Sequence, residues 1–172
     1  MQRPPMGLRV RPYADGDQAL YAELFSDPTI WALAGTPRSE AEAFALAERV
    51  LAAQHDPAGR FRHAVIESDD GPLGLVGFAL LEGTWRGGEA EIGLLLRPHA
   101  QGRGLGLPAL HAAEALAFGT LGLSALRARH MIENHRAEAL LKALCYAPRP
   151  DKSGDPHPRR WRKAAPARGT TG

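Results

Sequence analysis

A chain of 172 residues with 44% hydrophobic and 6% aromatic content can bury a sizeable, mostly aliphatic core. Its longest apolar run, Leu73 to Leu81, falls far short of the ~20 residues a membrane span needs, and the opening MQRPPMGLRV has no continuous apolar segment of the signal-peptide kind. Cys145 is the only cysteine, which excludes an internal disulfide and points to a reducing, cytoplasmic setting without a membrane partner.

The net charge of +2 hides an asymmetry. From Ala147 to Gly172 there are seven Lys or Arg against two Asp, while the preceding residues carry 14 basic against 17 acidic side chains. The tail reads as a solvated basic segment. It lacks the interleaved aromatics that stack on bases, so nucleic acid is not the expected partner.

Leu8 to Pro12 is a short strand candidate, and Asp15 or Asp17 can cap a helix that turns Leu20, Tyr21, Leu24 and Phe25 to one face. Asp27-Pro28 ends it. Ser39 and Glu42 form a capping box for a helix reaching about Gln54, with Phe44, Ala47, Val50 and Leu51 inward. Phe61 to Glu67 and Leu73 to Leu81 read as strands joined by a turn at Asp69-Asp70-Gly71-Pro72. After a second turn over Gly83 to Gly88, containing Trp85, comes a third strand, Glu89 to Leu96. Helical spacing then runs from Arg103 to Phe118, with Pro108 early enough to be harmless. Ser124 to His130 is a strand, and Asn134 to Leu144 a helix with an i,i+4 pair at Glu138 and Lys142. Beyond Tyr146 only Arg159 to Ala164 has strand character, so the chain reads as one domain, 1–172, with a core over about 8–146 and a Pro/Arg-rich tail over 147–172. Short turns make the middle strands antiparallel, and the glycine-turn helix crosses to a parallel neighbour. A mixed α/β sheet with helices on both faces is expected.

The informative stretch is Glu91 to Leu116, an apolar strand broken at Pro98, then alternate glycines Gly102, Gly104 and Gly106, then a helix. A helix start leaves its first N–H groups unpaired and partly positive, so this order makes an anion cradle. A Walker A loop is excluded because no Lys follows the glycines. A dinucleotide fingerprint fits poorly, since the sixth position from Gly102 is Leu107 and the strand follows hairpin-like strands.

Gln101-Gly102-Arg103-Gly104-Leu105-Gly106 resembles the Q/R-x-x-G-x-G/A acetyl-CoA motif of the GNAT superfamily of N-acetyltransferases. The likeness in element order covers Leu8 to Tyr146, and LRVRPYADGD, AEIGLLLRP and NHRAEALLKALCY are most similar to the RimJ/RimL branch, which acetylates N-terminal amines of ribosomal proteins. The resemblance implies a mixed, mostly antiparallel sheet with two strands splayed at the acetyl-CoA site. Gln101 and the amides of Gly102, Arg103, Gly104, Leu105, Gly106 and Leu107 would take the pyrophosphate, and Leu94, Leu95 and Leu96 would pair their backbone with the pantetheine arm, with a strand N–H near Leu95 polarising the thioester. Asn134 matches the family residue that opens the last long helix and touches that arm; a plain N-cap is the other reading. The expected activity is acetyl transfer from acetyl-CoA, without metal, to a primary amine on a protein N-terminus or a small molecule. A non-catalytic module binding acyl-CoA or a partner is the alternative, and a homodimer stays open.

Amine acetylation needs a neutral nitrogen. An α-amine near pKa 7.7–8.0 is about a tenth neutral at pH 7, whereas a lysine at about 10.4 is neutral in roughly one molecule in 2,500, a handicap of ~4.6 kcal/mol. An N-terminal acceptor therefore needs only a weak or water-relayed base. Glu89 and Glu91 share one strand face, and Glu91, within the family-like AEIG segment, is the chosen base. The acid seen in many relatives, a Tyr seven residues after the helix-start Asn, is here Leu141, and Tyr146 reads as core. His130 and His135 converge with no further ligands, Cys145 sits unfavourably at a helix C-terminus for a thiolate, and Trp31 and Trp85 read as packing residues in loops near the acceptor side.

Overall fold

The computed structural model describes residues 7–150 and 159–167. Its elements run β1 (Arg9–Pro12), α1 (Gln18–Ser26), α2 (Pro28–Trp31), α3 (Glu40–Ala53), β2 (Phe61–Ser68), β3 (Gly71–Glu82), β4 (Glu89–Leu96), α4 (Gly106–Ala115), β5 (Ala125–His130), α5 (His135–Ala143), β6 (Ala147–Arg149) and β7 (Arg159–Ala164). The strands form one sheet in the order β1-β2-β3-β4-β5-β7-β6. Every neighbouring pair is antiparallel except β4 and β5, which run parallel after the α4 crossover. This is the mixed, mostly antiparallel sheet that the resemblance implies. None of the described helices is long and apolar enough to cross a membrane.

Period-two alternation divides the core between the two faces of the sheet. Ile66, Val76, Phe78, Ala90, Ile92, Leu126 and Trp161 pack with Leu110, Ala113 and Ala117 of the α4 region and Leu141 of α5. On the other face Val65 and Leu75 pack with Tyr13, Leu20, Tyr21, Leu24 and Ala47, from α1, α3 and the chain before them.

Local signals place most helix ends. Ser39 accepts from the Glu42 N–H while the Glu42 carboxylate takes the Ser39 N–H, so the capping box forms in full. Asn134 accepts from the Ala137 N–H at 3.1 Å and caps α5. The α5 C-terminus closes with Cys145 N–H to Lys142 O and Tyr146 N–H to Leu141 O, which puts Cys145 at φ +63°.

Several expectations are corrected. Asp17 stands at the α1 N-cap without capping it; its carboxylate is held by both Arg11 amino groups and the Ala14 N–H. Asp27 ends α1 and also caps the short α2, accepting from Thr29 and Ile30. Phe44 is 47% exposed, because Ala43 and Ala47 form the seam of α3 that meets the sheet. The helix after the glycines starts at Gly106 rather than Arg103, since Gly102 and Gly104 both adopt positive φ. The strand character of Arg159 to Ala164 is met, while the reading of the tail as a solvated segment is corrected there. Residues 159–164 lie between β5 and β6 inside the sheet, with Trp161 buried, Arg162 on Glu89 and Lys163 on Glu114.

Candidate active site

The parallel pairing of β4 with β5 covers only Glu89↔Ala125, Ala90↔Leu126 and Glu91↔Arg127. Beyond that point β5 continues against β7 as far as His130, while β4 continues against β3 as far as Leu96. The two strands part, and the β5-facing edge of β4 is left open. Arg97 donates its N–H to Leu73 O across β3, so alternation turns the peptide groups of Leu95 and Gly93 toward β3 and those of Leu94 and Leu96 toward the opening. The free strand N–H expected near Leu95 therefore belongs to Leu94. Leu96 O is already taken by the Gln101 side chain at 2.9 Å, a bond that ties the glycine loop to the end of the strand.

That loop presents a row of donors. The N–H groups of Gly102, Arg103, Gly104, Leu105, Gly106 and Leu107 meet no acceptor among the described residues, whereas Gln101 N–H is used on Pro98 O. Gly102 (φ +69°) and Gly104 (φ +71°) hold the left-handed backbone that curls the amides to one side, and a Cβ on either would meet nothing within 4 Å, so the concave side is open. Gly106 instead faces Leu140 of α5, which a Cβ there would meet at an ordinary contact distance of 3.6 Å. Arg103 is exposed and has no ion-pair partner among the described residues. Six free amides, a helix start and an uncommitted guanidinium fit a pyrophosphate.

On the opposite face of the sheet, Phe61, His63, Gly77, Phe78, Ala79, Glu91 and Gly93 line an open cavity of about 190 Å³. The strand register makes its floor, with Phe61–Ala79–Glu91 in one row and His63–Gly77–Gly93 in the next. Gly77 leaves room for the His63 ring, which a Cβ there would meet tightly at 3.3 Å. Glu91 reaches the cavity with one oxygen on Arg129 Nε at 3.0 Å. Glu89, its alternative as base, is fully engaged: Arg162 and Arg127 hydrogen-bond it at 2.6 and 2.7 Å, and these guanidinium groups, Arg162 first, bring its carboxyl down to about 2 against the opposing effect of burial.

Sequence reasoning missed His63. Its ring packs edge-on against Tyr13 and Tyr21, its Nδ1 is buried without a partner, and burial lowers its pKa to about 4, so it is neutral at physiological pH. No local motif marks it; only the register brings it beside Gly77 in the Glu91 cavity. Neither tryptophan lines this cavity: Trp31 donates to Leu24 O, and Trp85 donates to Gly59 O beneath Arg62. His130 Nε2 accepts from Trp161 Nε1 and its Nδ1 lies 2.8 Å from Met131 O, so both nitrogens have protein partners. Leu141 is core, and Tyr146 is buried with an unpartnered hydroxyl whose pKa is pushed up by burial and then by the Glu114 carboxylate.

Residues 7–144 match the model of the acetyltransferase (GNAT) domain. The chain belongs to the GNAT acetyltransferase family. Solved GNAT-fold structures superpose over nearly its whole length. Spermidine N-acetyltransferase from Vibrio cholerae, in complex with CoA and spermine, matches with TM-score 0.75 and 20% identity over 92% of this chain and 95% of that one. An acetyltransferase from Thermus thermophilus gives TM-score 0.69 at 22% identity, covering 94% and 99%. An aminoglycoside acetyltransferase in complex with coenzyme A gives 0.70 at 17%, covering 92% and 95%. At these identities the likeness is one of fold. Curated protein sequences gave no significant match.

Proposed function

We propose that this GNAT protein transfers the acetyl group of acetyl-CoA to a primary amine in a ternary complex, with Glu91 as the base. The observation that carries the reading is the end of β4–β5 pairing at Glu91↔Arg127. It opens a strand edge beside the free amides of residues 102–107 on one side and beside the Glu91 cavity on the other. Bound acetyl-CoA supplies an activated acyl carbon at that opening.

The remaining work falls to the chain itself. The amides of Gly102 to Leu107 and the guanidinium of Arg103 hold the pyrophosphate, and the Leu94 peptide group pairs with the pantetheine amides as an added strand does. The Leu94 N–H is also the donor available to the acyl oxygen. Asn134 keeps its cap through Oδ1 and has Nδ2 left for the arm. Glu91 receives the acceptor ammonium, takes a proton from it directly or through water, and leaves a neutral amine facing the opening. With Leu141 and Tyr146 both in the core, no side-chain acid is assigned to the leaving thiol, which is a tolerable leaving group as the thiolate.

Similarity of LRVRPYADGD and NHRAEALLKALCY to the RimJ/RimL branch supports a protein N-terminal amine as acceptor. Such an amine asks less of a base than a lysine does, because about a tenth of it is already neutral at pH 7. The spermine and aminoglycoside sites of the structural relatives support a small-molecule amine as the competing choice. Thermal shift with CoA, followed by thiol release from acetyl-CoA over a panel of N-terminal peptides and amines, tests the reading. Stabilisation by CoA with release on at least one amine is expected. No stabilisation at saturating CoA refutes it, and stabilisation without release on any amine favours a binding module.

A further inference from the structure

Four glycines lie inside strands among the described residues: Gly71, Gly74 and Gly77 of β3 and Gly93 of β4. The fold accounts for three of them. Gly71 takes φ +116°, a Cβ on Gly74 would collide with the Leu95 carbonyl, and one on Gly77 would press on the His63 ring. Gly93 answers to none of these needs. It keeps the ordinary extended backbone of a strand, in register with Gly77, and a Cβ there would meet no described atom within 4 Å. It is also exposed, although β4 is the middle strand of the sheet. A glycine inside a strand weakens it, because it loses more conformational freedom on folding and has no side chain to pack. The chain thus keeps a bare patch at the centre of its sheet that its own packing does not require.

That patch lies where the reaction must pass. Gly93 shares the acceptor face with Glu91, two residues and about 7 Å along the strand. The next peptide group, that of Leu94, faces the opening between β4 and β5. An amine held at Glu91 and attacking a carbonyl polarised by the Leu94 N–H lies between the two, so the carbon that bears it crosses Gly93. The His63 ring beyond Gly77 and the exposed Phe61 wall the cavity there. Leu95, the next residue on this face, packs against the cluster under α1 and α3 and closes that end. The cavity volume of about 190 Å³, at about 30 Å³ for each water-sized group, admits roughly six non-hydrogen atoms.

Resting on the acetyltransferase reading, we infer that Gly93 selects the acceptor by size: the amine lies at Glu91, and the carbon next to it carries no substituent or a short one, such as a methyl or hydroxymethyl group, lodged over Gly93 and Gly77. The rest of the acceptor runs out through the open mouth. A benzyl group on that carbon, counted with the amine and the carbon itself, already exceeds the space.

The test measures thiol release from acetyl-CoA by the full chain. Acceptors are the amides of glycine, alanine, serine, phenylalanine and tryptophan, and tetrapeptides that begin with the same residues. The small three should exceed the aromatic pair in kcat/KM by about tenfold or more. Gly93→Ala should lower the alanine and serine acceptors about tenfold relative to glycine, while thermal shift shows CoA binding unchanged. Gly93→Ser, also small, repeats the measurement should the alanine variant fail to fold. A merely structural role for Gly93 would lower every acceptor alike, so the ratio between acceptors decides. Equal kcat/KM across the acceptors, or an unchanged ratio in the variants, overturns the inference. So does a variant that keeps the acceptor ratios and instead shifts the preference between acetyl-CoA and propionyl-CoA, since the space then belongs to the acyl chain. With the size order kept, faster turnover of the tetrapeptides makes the acceptor a polypeptide N-terminus, and faster turnover of the amides makes it a small free amine; both support the size filter. If no acceptor releases thiol although CoA stabilises the protein, the acetyltransferase reading fails and the inference falls with it.

Discussion

Replacing His63 with phenylalanine should flatten the acid limb of the stability profile. In the folded protein burial sets the His63 pKa at about 4, against about 6.5 for an exposed histidine. Between those values the unfolded chain binds a proton that the folded chain does not, so stability falls as pH drops. The contribution is fully present above about pH 6.5 and lost as pH descends toward 4. A shift of this size has a ceiling of about 3.4 kcal/mol, and from pH 7.5 to pH 4.5 it removes about 2.5 kcal/mol. Phenylalanine keeps the edge-on contacts with Tyr13 and Tyr21 and removes the unpartnered Nδ1. Urea unfolding of both proteins at several pH values gives the comparison directly. The native protein should lose about 2.5 kcal/mol more than the variant over this range. Two curves that run parallel to within about 1 kcal/mol would refute a buried neutral imidazole under the Glu91 cavity.

Four further outcomes are expected. Glu91→Gln should lower kcat/KM about a hundredfold or more while leaving CoA binding unchanged, and a change in CoA affinity alone would remove Glu91 from the chemistry. Gly104→Ala forces an L-residue at φ +71°, which costs about 1–2 kcal/mol, and places a methyl on the open side of the amide row; thermal shift should show weaker CoA binding in addition to a lower Tm. Cys145→Gly should raise stability by about 1 kcal/mol, because the residue occupies the left-handed position after α5; denaturant unfolding checks this. Tyr146→Phe should keep kcat, since the hydroxyl is buried in the core beside the Glu114 carboxylate; a large loss of kcat would make Tyr146 the missing acid.

The opening of the β4–β5 edge explains why one strand carries so much of the site. Its even-numbered residues, Ile92, Leu94 and Leu96, put side chains into the core under α4, and the peptide groups of Leu94 and Leu96 face the gap. Its odd-numbered residues put Glu89 and Glu91 on the acceptor face, where the first is locked by two arginines and the second reaches a cavity. Carboxylates two residues apart on one strand thus serve different ends. The distinction comes from β7, which brings Arg162 to Glu89 and not to Glu91.

The sequence by itself determined much of what depends on a few neighbouring residues. Alternate glycines before a helical pattern specify the amide cradle, because only glycine takes φ near +70° at low cost. Ser39 with Glu42, and Asn134 before α5, specify helix starts, because a cap is a bond between residues two or three apart. Glu89 to Leu96 is a strand by its own apolar pattern, and the family motif follows from the same stretch. Tertiary structure decided the rest. Asp17 resembles a cap until Arg11 comes within 2.8 Å, and Phe44 resembles core until Ala43 and Ala47 meet the sheet. The segment 159–164 has strand character of its own, but with four of its six residues Arg or Lys it does not show where it pairs; β5 offers it an edge and its glutamate-rich neighbour offers counter-charges. The place of His63 and the separation of Glu89 from Glu91 both arise from strand register between residues tens of positions apart, which no local pattern encodes.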